Sequence, residues 1–113
     1  MNKVRVLGAL AALLVGSAAG LAQAQVDADA AQALMKKNDC GKCHALDRDK
    51  KAPSWKKIAA KYKGKPDGEE KAIKNMTTNP KVKLEDGTEE EHKAINTKDQ
   101  AAIKNVANWI LSR

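Results

Sequence analysis

Apolar residues return at helical spacing in four stretches of the 113-residue chain, with polar and turn-forming residues between them. Residues 28–39 read as a helix with Asp29 as its cap and Ala33, Leu34 and Met35 as its apolar patch. The stretch SWKKIAAKYKG predicts a second, short helix: Ser54 caps it, Trp55, Ile58, Ala59 and Tyr62 recur on one side, and Gly64 ends it. A third, EEKAIKNM, carries Ile73 and Met76. The fullest stripe is in TKDQAAIKNVANWILSR: Ala102, Ile103, Val106, Ala107 and Ile110, with Trp109 beside them and Thr97 as the cap. Residues 77–96 show no firm period, and Pro80 and Gly87 interrupt them. So long an irregular span in a small domain predicts a functional loop. No strand alternation is visible. The expected fold is all-α, with the first and last helices packed on each other.

The start of the chain follows a different pattern. MNKVR is positive, VLGALAALLVGSAAGLA is apolar and rich in small residues, and AQA at 22–24 fits a cleavage site. Residues 1–24 are therefore expected to be a cleaved secretory signal, and 25–113 a single exported domain. No other stretch is apolar enough to span a bilayer, so the mature form is expected to lack a membrane anchor.

Composition makes the domain hard to stabilise from its own side chains. About 89 residues remain after cleavage, with no phenylalanine and with Trp55, Tyr62 and Trp109 as the aromatic residues. Domains of this size often lean on a disulfide, a metal or a cofactor. Loss of Lys3 and Arg5 leaves 19 basic residues against 14 acidic ones, a charge of about +5. Lysines crowd the stretch 36–65, which favours acidic partners at salt-dependent rates. Few aromatics and no nucleic-acid motif argue against nucleic acid as the partner.

The chemistry lies in NDCGKCHAL, residues 38–46. A Cys-x-x-Cys-His pentad reads as a c-type haem attachment site. Cys40 and Cys43 are one helical turn apart, so both sulfurs can form thioethers to the two vinyl groups of one haem. His44 follows at once and is directed at the iron. A thioredoxin-type motif would want alternating strands and helices around it. A disulfide across three residues closes a tiny loop and stabilises little. A zinc site from Cys40, Cys43, His44 and His92 would force two adjacent residues into one tetrahedron.

The exported chain, nearly end to end, resembles the small bacterial class I cytochromes c of the c-551/c-552 kind. The resemblance rests on MKKNDCGKCHALD, then APSWKKIAAKYKG, then AIKN, then ANWILS, in that order. It implies three to four helices around one covalently attached haem c, with the N- and C-terminal helices crossing. It also implies that the Pro53 carbonyl accepts the Nδ1 proton of His44, which would fix the ring and raise its basicity. Trp109 matches the aromatic residue of the family's last helix and Met35 the packing residue of its first. Trp55 and Tyr62 would line the haem pocket or the core.

The family's sixth iron ligand is usually a methionine in the loop before the last helix, and here the chain departs from the pattern. Met35 lies on the first helix. His92 stands five residues before Thr97, whereas Met76 stands 21 before it and ends a predicted helix. His92 is therefore the expected partner of His44 on the iron, with Met76 as the competitor and an open or lysine-ligated site as the remaining alternative. The expected function is a soluble, monomeric, periplasmic carrier of single electrons. Lys42, Lys50 and Lys51 would orient it toward acidic redox proteins. The alternative is a haem-based sensor or small-ligand binder with a labile sixth ligand. No protein base or nucleophile suggests an enzyme.

Overall fold

The computed structural model describes residues 25–113, and the expected signal at 1–24 lies outside them. In chain order the elements are α1 (Ala28–Lys37), a 3-10 turn at Cys40–Lys42, α2 (Trp55–Tyr62), α3 (Gly68–Thr77), strands β1 (Lys81–Lys83) and β2 (Glu89–Glu91), and α4 (Gln100–Leu111). The four helices fall where apolar periodicity placed them.

Helix α4 is the hub, and α1, α2 and α3 each pack against it. Its face of Ile103, Val106, Ala107, Trp109 and Ile110 is buried, while Ala102 is half-buried at the margin. From α1 come Ala31 and Met35, and from α3 Ala72 and Met76; Ile95 of the preceding loop completes the cluster. The face of α1 is not the one expected. Ala33 is exposed; Ala31, Leu34 and Met35 form the i, i+3, i+4 stripe toward α4. The first and last helices are also tied by reciprocal bonds. The Asp27 N–H donates to Asn105 Oδ1 at 2.9 Å, and Asn105 Nδ2 donates to the Asp27 carbonyl at 2.8 Å.

Two expected caps sit two residues away from their assigned positions. Asp27, not Asp29, caps α1, accepting from the Ala30 N–H. Asp99, not Thr97, caps α4, accepting from the Ala102 N–H at 3.1 Å. Thr97 stands two residues outside and accepts from the Asp99 N–H through its hydroxyl. Both residue types suit the position, and the carboxylate takes it. Ser54 caps α2 as expected, and Gly64 leaves that helix with φ 75°.

The larger correction concerns residues 77–96, which hold an antiparallel hairpin where no strand was expected. Lys81 pairs with Glu91, Val82 with Glu90 and Lys83 with Glu89. The Leu84 N–H donates to the Thr88 carbonyl across the turn, where Gly87 takes φ 86°. The strands are three residues each, Lys-Val-Lys and Glu-Glu-Glu, and offer no apolar face whose alternation would betray them. No helix among the described residues is long and apolar enough to cross a membrane.

Candidate functional site

The Cys-x-x-Cys-His segment winds as one tight turn directly after α1. The N–H groups of Cys43 and His44 both donate to the Cys40 carbonyl, at 3.2 and 3.1 Å. Cys40 and Cys43 are half-buried and not bonded to each other, and burial raises the pKa of the Cys40 thiol. Asp39 opens the turn in the left-handed region, φ 59°, which an aspartate tolerates better than most residues.

Beyond the turn, residues 45–53 fold back and fix the imidazole of His44. Its Nδ1 lies 2.6 Å from the Pro53 carbonyl, which accepts only, so Nδ1 carries the proton. That leaves the Nε2 lone pair free for a metal. Burial pushes the His44 pKa down, against the opposing pull of the Pro53 bond, and favours the neutral ring that binds metal. The indole of Trp55 stacks on the ring, centroids 4.4 Å apart and planes 26° from parallel. Trp109 meets Trp55 edge-on at 6.3 Å, and the Arg113 guanidinium lies over Trp109. An open groove of about 660 Å³ beside His44 is lined by Met35, Leu46, Trp55, Trp109 and Arg113 among others. Tyr62 stands apart from this site, its hydroxyl accepting from Asn75 Nδ2 between α2 and α3.

His92 follows β2 directly and faces His44. The two ring centroids are 6.2 Å apart and the rings are tilted by 45°. A metal–imidazole bond of about 2 Å puts a ring centroid roughly 3 Å from the metal, so two imidazoles on opposite sides of one iron stand roughly 6 Å apart. The observed separation fits that arrangement. Nδ1 of His92 is buried and has no hydrogen-bond partner among the described residues. Met76, the competing candidate, is 8 % exposed and packs in the same buried cluster as Ile95, Ile103 and Val106. Among the described residues no three or more His, Cys, Asp or Glu side chains gather where they could hold a metal ion together.

Several residues that sequence reasoning passed over hold the two histidine-bearing segments together. Asn38, 5 % exposed, donates through Nδ2 to the Leu34 carbonyl and accepts from the Asn96 N–H at 2.8 Å through Oδ1. Asp39 pairs with Lys93 at 3.2 Å and with Lys42 at 3.4 Å. The Lys93 hydrogen bond, then that of Lys42, holds its carboxyl below the usual value. The Ile95 N–H donates to the Met76 carbonyl. Asn79, φ 50°, donates to the His92 carbonyl. The partners that cross between the two segments lie 13 to 58 residues apart, and the dipeptide Asn79-Pro80 is the one local signal among them, a turn marker.

The cytochrome c family profile matches residues 28–113. No curated protein matches the chain. Among solved structures, the class 1 cytochrome MtoD from Sideroxydans lithotrophicus ES-1 is 53% identical, with a TM-score of 0.74, over 78% of this chain and 97% of that one. Cytochrome c552 from Nitrosomonas europaea is 28% identical, with a TM-score of 0.56, over 72% of this chain and 96% of that one. The pentad, the helix pairing and these likenesses agree: the chain belongs to the cytochrome c family, electron carriers built on covalently attached haem c and its iron.

Proposed function

We propose that this cytochrome shuttles single electrons between periplasmic redox proteins, with His44 and His92 as the two axial ligands of its iron. The observation that carries the ligand assignment is the 6.2 Å separation of the facing imidazoles. Cys40 and Cys43 would tether the haem, which supplies one-electron exchange between ferric and ferrous iron. His44 is held in one tautomer by Pro53 and in one orientation by Trp55. A ligand fixed in this way changes little between oxidation states. Two imidazoles favour a lower potential than a methionine-ligated relative. The predicted signal at 1–24 supports the periplasm, and the excess of lysine supports acidic partners met by a monomer in brief encounters.

The second reading, a sensor or small-ligand binder, is favoured by the unpartnered Nδ1 of His92, since a ligand imidazole normally donates that proton. One variant and one gas separate the readings. The holo-protein is expected to be low-spin, to lack the weak long-wavelength absorption of an iron–methionine bond, and to bind carbon monoxide slowly when reduced. His92→Ala is expected to turn it high-spin and open to carbon monoxide. A low-spin spectrum retained in H92A overturns the ligand assignment. Fast stoichiometric binding by the unaltered protein favours the sensor.

A further inference from the structure

The hairpin that delivers His92 is missing one of its own hydrogen bonds, and a side chain replaces it. Continuing the register of Lys81 with Glu91 sets Pro80 opposite His92. The His92 N–H donates to the Pro80 carbonyl at 2.8 Å, so this is a position where antiparallel partners exchange two bonds. Pro80 has no N–H to give back. The His92 carbonyl takes its bond from Asn79 Nδ2 instead, at 2.9 Å. Asn79 reaches it from the left-handed region, φ 50°, a conformation asparagine tolerates. The His92 ring has no hydrogen bond of its own through Nδ1. Its placement therefore rests on the peptide that carries it.

We propose that Asn79 is a positioning residue for the sixth iron ligand: by standing in for the N–H that Pro80 lacks, it latches the His92 peptide to β1 and limits how often the imidazole leaves the iron. The proposal rests on the reading of His92 as an axial ligand. The latch acts on a population. Carbon monoxide enters only when His92 is off, so its binding rate to the reduced protein reports the open fraction.

Asn79→Gly keeps the positive φ and removes the amide. Asn79→Asp keeps the shape and removes the donor. Loss of one hydrogen bond of ordinary strength is expected to raise the carbon monoxide binding rate of reduced holo-protein about fivefold in both variants. Asn79→Gly combined with Pro80→Ala returns a backbone N–H to the ladder and is expected to bring the rate back toward that of the unaltered protein. A merely structural role would lower the melting temperature without moving this rate. Unchanged rates in both single variants, with H92A high-spin, overturn the latch and leave the ligand assignment standing. A low-spin H92A overturns both.

Discussion

Asn38 shows how much one side chain can hold in a small domain. Its amide spans from the last turn of α1 to the Asn96 peptide, just beyond the His92 segment. Removing it takes the acceptor from the Asn96 N–H at a site 5 % exposed, while the Leu34 carbonyl keeps the bond from the Asn38 backbone N–H. Asn38→Ala is expected to cost roughly 1–3 kcal/mol, measured by guanidinium unfolding of the holo-protein. None of this was legible from the chain. Asn38 reads as an ordinary polar residue at a helix end, and its partner is 58 positions away. Cys40, Cys43 and His44 were legible because their chemistry is local: covalent attachment and ligation need those types at that spacing. His92 was legible by position alone. Its opposition to His44 depends on a hairpin that the sequence does not advertise.

At the scale of elements, the helices were readable and their joints were not. Apolar spacing finds α4 because three faces meet there, whereas Lys-Val-Lys and Glu-Glu-Glu carry no burial signal at all. The choice between Thr97 and Asp99 as a cap is likewise settled by where the chain enters α4, not by residue type. The corner between α2 and α3 is another joint set by contact. A Cβ added at Gly68 would lie 2.1 Å from the Tyr62 carbonyl oxygen, a backbone atom that cannot swing aside. Gly68→Ala is therefore expected to force α3 away from α2 and to destabilise by about 1–3 kcal/mol, visible as a lowered melting temperature. Alanine is the better helix former, so a rise instead would show that the corner gives way freely.

Across the whole molecule the charges are sorted rather than mixed. Seven lysines and no acid occupy residues 50–66, and five acids and no base occupy residues 85–91. Lys57 of the first run is paired with Asp49. Leu46, 45% exposed, sits where the Lys56 N–H meets its carbonyl. A partner with an acidic face is expected to approach from the α2 side, and its association rate is expected to fall steeply between low and physiological salt. Stopped-flow mixing with an acidic redox protein at two ionic strengths measures this. A rate indifferent to salt would leave the lysine run as a solubility feature.

The clasp between Asp27 and Asn105 spans 78 residues. It closes the domain end to end: α2 and α3 touch each other directly, but α1 meets neither of them except through α4. A chain ended before Asn105 would leave its opening helix with nothing to fasten to.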